Sequence, residues 1–138
     1  MYTAIMVPVD LAHADRLEKA LASAADLSKH YGIPVTYVGV TSSAPGATAH
    51  NPDEFERKLN AFAQEQADKY GLHSVRGRAF ISHDPSVDLH RTLIDAADEI
   101  GADLIVMASH VPGIAEHIFE SNAGSVALHA EVSVFVVR

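Results

Sequence analysis

A single α/β domain, built on a parallel sheet with helices on both faces, is what the 138-residue sequence predicts. Three observations predict it. Short apolar runs alternate with segments of helical period, giving the order βαβαβαβαβ without a long linker. Asn51-Pro52 and Asp84-Pro85 each set a capping side chain before a proline suited to a first helical turn. Gly32, Gly71 and Gly101 each follow a periodic segment, where a helix should stop. Right-handed crossovers between parallel strands then cover both faces of the sheet.

The elements follow in order. Ala4 to Val9 is an apolar run and reads as a buried strand. Asp15 to Tyr31 carries Leu17, Ala20, Leu21, Ala24 and Leu27 or Ser28 at helical spacing, with Asp15 and Glu18 spaced for a capping box. Val35 to Thr41 is β-rich, and Ser42 to His50 is a small-residue loop. The helix opened by Asn51-Pro52 has Phe55, Leu59, Phe62 and Tyr70 on its apolar face. Val75 to Ile81 alternates and is less apolar, so it belongs nearer an edge. The next helix, to Ile100, buries Leu89, Leu93, Ala96, Ala97 and Ile100. Leu104 to Ala108 is the most apolar strand and is expected in the sheet interior. A helix over Ser121 to Ala130 and a strand over Val132 to Val137 close the chain.

Composition excludes several classes of function. Cysteine is absent, which removes disulfides, thiolate metal sites and a cysteine nucleophile. A net charge of −8 argues against a nucleic-acid partner, which needs a basic face. The apolar runs fall far short of the roughly 20 residues that span a bilayer, so no membrane insertion is expected. Met1 to Asp10 has no basic n-region or cleavage site, and a cytoplasmic location is the expectation.

In open parallel sheets, ligands bind beyond the carboxyl ends of the strands, where strand order reverses. If the first and fourth strands are neighbours, Asp10 and His110 lie close together beside a crevice. Asp10 can accept hydrogen bonds from a ribose hydroxyl or an adenine amino group, or it can cap the following helix. Pro8 lacks a ladder donor, and Val40 can wall an adenine pocket or simply pack in the core. Ser109, His110, Ser121 and Asn122 are the polar groups around the last loop and helix start, where backbone N–H groups can meet an anion. No Lys or Arg occurs between Leu104 and Val137, and Glu120 stands where a phosphate would be expected.

Other signals are local. The nine histidines are scattered without a His-Glu-x-x-His pattern. Ser82-His83-Asp84 is contiguous, whereas catalytic triads are spatial, and Asp84 reads as a cap. There is no Gly-x-x-x-x-Gly-Lys loop and no Gly-x-Gly-x-x-Gly fingerprint. A phospho-receiver would need an acidic pair and a late Lys, of which only Asp10 is present.

Three blocks of sequence resemble the universal stress protein family, together spanning essentially residues 1–138: Ile5-Met-Val-Pro-Val-Asp10, Gly101-Ala-Asp-Leu-Ile-Val-Met-Ala-Ser-His110, and Glu120-Ser-Asn-Ala-Gly-Ser-Val through Arg138. The resemblance implies a five-stranded parallel sheet of order 3-2-1-4-5. It also implies a homodimer joined through the last strand, Val132 to Val137, with protein partners it does not name. Many family members bind ATP or AMP through Gly-x-x-Gly, nine residues, then Gly-Ser or Gly-Thr. Here Ala108 and Val111 replace the two glycines, the spacer is one residue shorter, and Glu120-Ser121 replaces Gly-Ser. Ser-His-Val-Pro and Ser-Asn-Ala are instead similar to a branch with Ser-x-x-Pro and Gly-Ser-Asn, also associated with nucleotides.

Carried over by position, the nucleotide contacts implied are Pro8, Val9, Asp10, Val40, Met107, Ala108, Ser109, His110, Ser121, Asn122 and Ala123. The implied ligand is ATP or AMP, with or without magnesium. No catalytic set and no metal-ligand set emerges. Glu120 adds bulk and negative charge beside a would-be anion, so the adenosine side is better supported than the phosphate side. The alternatives are a dimeric interaction protein of the same family that has lost nucleotide binding, and a nucleotide hydrolase using Asp10 or His110. For the hydrolase the sequence shows no general base with an orienting partner.

Overall fold

The computed structural model describes residues 1–42, 51–109 and 122–138. Five parallel strands form one sheet: β1 (Ile5–Pro8), β2 (Val35–Thr41), β3 (Val75–Ile81), β4 (Leu104–Ala108) and β5 (Ser133–Val137). Their order is β3-β2-β1-β4-β5, with β4 interior and β3 at an edge, as expected. The helices are α1 (Glu18–Tyr31), α2 (Pro52–Tyr70), α3 (Pro85–Ile100) and α4 (Asn122–His129).

The period-two alternation of the strands divides the core into two layers. Ile5, Val7, Val9, Tyr37, Leu104 and Val106 pack with residues of α1 and α2 on one face. Met6, Val38, Ile105 and Met107 pack with Leu89 and Leu93 of α3 and Val126 of α4 on the other. The helix ends follow the predicted chemistry. Asn51 accepts the Glu54 N–H at 2.8 Å, with Pro52 in the first turn. Gly32 and Gly71 take left-handed φ of 65° and 69° and return their N–H groups to Ser28 and Ala67 carbonyls.

The start of the first helix differs from expectation. No capping box forms between Asp15 and Glu18. Residues Leu11–Leu17 form a 3-10 segment instead, and α1 follows it with Leu17 at the N-cap and no side-chain cap. The cap lies five residues earlier, where Asp10 accepts the Ala12 N–H at 3.1 Å. A carboxylate directly after a strand starts the turn at once, and the kink at His13 (φ −130°, ψ 29°) then redirects the chain into α1.

At the other end of the sheet, α2 approaches unusually closely. A Cβ on Gly77 would strike the Leu59 backbone, and one on Gly39 would strike the Phe55 ring. That proximity lets α2 side chains reach the edge strand. Asn60 Oδ1 accepts the Gly77 N–H at 2.9 Å, and Glu56 Oε1 accepts the Ala79 N–H at 3.1 Å. Gly77→Ala should therefore cost about 1–3 kcal/mol by overpacking against backbone that cannot move aside. Gly124→Ala, in α4 with nothing within 4 Å of the added carbon, should be neutral or stabilising by up to about 1 kcal/mol. Urea unfolding of both variants measures the contrast, and equal effects would contradict the close packing.

Candidate functional site

The crevice arises where β1 and β4 part. Strands β1 and β2 stay in register through Pro8 and Val38, and β4 and β5 through Ala108 and Val137. Between β1 and β4 only Ile5–Leu104 and Met6–Ile105 are paired. Beyond that point each strand is bonded away from the other. Val9 N–H donates to the Val38 carbonyl at 2.8 Å, and Ser109 N–H donates to the Val137 carbonyl at 2.9 Å. The β1–β4 ladder thus ends early, where Pro8 has no N–H to extend it, at the reversal of strand order where open α/β sheets receive ligands.

The amino end of the same junction is clamped. Asp103 accepts the Thr3 N–H and hydroxyl, each at 3.0 Å, and the Ala4 N–H at 3.1 Å. Partial desolvation pushes the Asp103 carboxyl upward, but these hydrogen bonds outweigh it and hold the group below its ordinary value.

Asp10 sits at the lip of the crevice with 18% of its side chain exposed. Its Oδ1 accepts the Ala12 N–H, and its Oδ2 lies 2.9 Å from His13 Nδ1. A carboxylate oxygen only accepts, so His13 Nδ1 carries the proton. Each oxygen has a further lone pair, so capping does not exhaust the group, and a ribose hydroxyl remains a suitable donor to it. His13 was not among the residues singled out from sequence. Its signal was the Asp-x-x-His spacing, which sets the two side chains on one side of a helical turn. The pairing supplies an oriented imidazole beside Asp10, which the sequence alone did not show.

The remaining predicted residues fall into distinct positions. Val9 and Met107 are each 1% exposed and Ala123 is 2% exposed, so their side chains are held within the core. Pro8 is buried at the end of β1, while Val40, Ala108 and Ser109 are partly exposed around the strand ends. Val40 and Met107 belong to the α3/α4 layer, whereas Val9 and Ala108 belong to the α1/α2 layer. The Ser109 hydroxyl is buried without a hydrogen-bond partner, which costs about 1–3 kcal/mol until a ligand or water supplies one. Asn122 and Ala123 open α4, with the helix N–H groups and dipole at their end. His110 and Ser121 lie outside the described residues, as do Val111 and Glu120. No group of three or more potential metal ligands occurs among the described residues.

Comparison with known proteins is consistent across the chain. The universal stress protein family matches residues 1–138. Universal stress protein G of Shigella flexneri is 30% identical, with both chains covered completely. The solved universal stress protein from Archaeoglobus fulgidus is 26% identical, with a TM-score of 0.69 and complete coverage of both chains. An Archaeoglobus fulgidus universal stress protein in complex with dAMP is 26% identical, with a TM-score of 0.67, over 99% of this chain and 98% of that one.

The Asp103 clamp has a pH signature. Its folded-state pKa lies below its unfolded value, so its contribution is present above the unfolded value and is lost as pH falls through the folded one. Asp103→Asn should lower stability near neutral pH and flatten the acid limb of the stability profile. Chemical unfolding across that limb reads this, and an Asn variant that parallels the original chain throughout would contradict it.

Proposed function

The chain belongs to the universal stress protein family, and on that premise we propose that it binds an adenine nucleotide between the carboxyl ends of β1 and β4 and serves as a homodimeric regulatory module. The observation that carries this reading is the early end of the β1–β4 ladder at Met6 and Ile105, with Asp10 following β1 and the unpartnered Ser109 hydroxyl following β4. The dAMP complex of the Archaeoglobus fulgidus relative supports an adenine ligand.

Val40 and Met107 suit the adenine side, Asp10 the ribose, and Ser109 with the N-terminus of α4 the first phosphate. The absence of Lys and Arg from Leu104 to Val137, with Glu120 in the same stretch, disfavours a long polyphosphate. AMP and adenosine should therefore bind at least as well as ATP, and magnesium should narrow the gap by shielding the extra charge. A bound nucleotide bridges two strand ends and changes the surface that partner proteins read.

Thermal shift with adenosine, AMP and ATP, each with and without magnesium, tests this. The midpoint should rise with ligand concentration. Asp10→Asn keeps an acceptor for the Ala12 N–H but loses the charge, so affinity should fall by about tenfold or more while stability changes little. No shift at millimolar ligand would overturn the reading. Glu120 and the missing glycines at 108 and 111 favour the second reading, a dimeric interaction protein without nucleotide. In that case Glu120→Gly should create binding.

The dimer reading rests on the β5 edge, where Phe135 and Val136 are 47% and 38% exposed. An apolar edge strand invites pairing with a second copy about a two-fold axis. Phe135→Asp should shift light-scattering mass from dimer to monomer, and a monomeric original chain would remove the proposal.

A further inference from the structure

The fold brings together two histidines that are far apart in sequence. His90 lies on α3, partly buried, and His129 is the last residue of α4. Their ring centroids are 6.0 Å apart, with the planes inclined by 44°. The pair lies in the α3/α4 layer rather than at the strand-end crevice, and nothing in the proposed nucleotide site uses it.

The second observation concerns the tautomer. His129 Nδ1 is 2.8 Å from the Ser125 carbonyl oxygen, one turn back in α4. A carbonyl oxygen can only accept, so Nδ1 carries the hydrogen and the neutral ring presents its lone pair at Nε2. A backbone carbonyl holding the far N–H is the usual support of a metal-bound imidazole. Metal–nitrogen bonds of about 2.0–2.1 Å require the two ligating nitrogens to come within about 3–3.5 Å of each other. Two imidazoles so bound hold their centroids roughly 5 Å apart, so from 6.0 Å the rings close by about an ångström, which small side-chain torsions on two packed helices can supply.

We propose that His90 and His129 form a two-histidine site for a divalent transition-metal ion, bridging α3 and α4. Among the described residues no third carboxylate or imidazole joins them, so water completes the coordination. Two imidazoles without carboxylates select copper, nickel or zinc over magnesium or calcium, which demand oxygen donors. The chain's net charge of −8 favours accumulation of any such cation.

The full chain is titrated with Co²⁺, Ni²⁺, Cu²⁺, Zn²⁺ and Mg²⁺ while the unfolding midpoint is followed. The midpoint should rise in the order cobalt, nickel, copper, with zinc below copper and magnesium without effect. Electron paramagnetic resonance of the copper form should show two equatorial nitrogens. His90→Ala and His129→Ala should each weaken binding by at least about tenfold and leave one nitrogen, since loss of a ligand costs no less than loss of its outer support. His30→Ala, whose ring meets Tyr31 edge-on elsewhere on the surface, should bind metal as the original chain does. Binding unchanged in both site variants, or no metal-dependent shift in the original chain, would overturn the proposal. His129 is exposed and His90 partly buried, and the midpoints of both variants without metal establish that they fold.

Discussion

The whole sheet turns on the short contact between β1 and β4. Two residue pairs, Ile5–Leu104 and Met6–Ile105, join the half made of β3, β2 and β1 to the half made of β4 and β5. Asp103 reinforces that contact by gripping Thr3 and Ala4 at its amino end. Right-handed crossovers running outward from β1 set α1 and α2 on one face, and the return to β4 sets α3 and α4 on the other. The reversal that creates two helical layers is therefore the same reversal that opens the crevice. A longer β1–β4 ladder would strengthen the join and close the site.

The two edges of the sheet show opposite treatments. On β3, outward N–H groups of Gly77 and Ala79 are taken by side chains of α2, and Arg78 lies 3.4 Å from Glu56. That edge has these two donors satisfied and charge along it, both of which discourage further pairing. On β5, the run Ser-Val-Phe-Val-Val exposes Phe135 and Val136. The β5 run is apolar yet lies at an edge, because composition records what a residue prefers and not which neighbour supplies the burial. The less apolar β3 run, by contrast, could be assigned to an edge directly.

Legibility followed the range of the interactions involved. Helix stops at Gly32 and Gly71 and the start at Asn51-Pro52 are set by residues within a turn of each boundary, and they could be read locally. The start of α1 could not. Asp15 and Glu18 had capping-box spacing, but Asp10 had already begun the turn at the strand end, and a turn begun there leaves Asp15 inside the 3-10 segment. The partnership of His13 with Asp10 is likewise local, yet it was not read from the sequence, because a single Asp-x-x-His spacing does not say that a turn begins at Asp10. The expected adjacency of Asp10 to His110, which lies outside the described residues, was of another kind. It depends on strand order, which the residue pattern leaves open and which the family resemblance supplied. The pairing of His90 with His129 depends on how α3 and α4 pack, and neither composition nor motif carried it.

Unsatisfied polar atoms give an independent view of where the fold expects company. Among the described residues, the Tyr37 hydroxyl, Gln66 Oε1, the Ser82 hydroxyl and the Ser109 hydroxyl are buried without partners. Tyr37 packs edge-on against Phe62 in the α1/α2 layer, and Gln66 lies one helical turn beyond Phe62 on α2, so both belong to the interior of one layer. Ser82 and Ser109 each directly follow a strand, β3 and β4, at the carboxyl side of the sheet. A buried hydroxyl left unpaired costs about 1–3 kcal/mol, and apolar alanine would avoid the cost at either position. Retaining serine at strand ends is therefore economical only if something polar meets it there. At Ser109, which follows β4 beside the nucleotide site proposed above, a ribose hydroxyl or first phosphate would supply that partner.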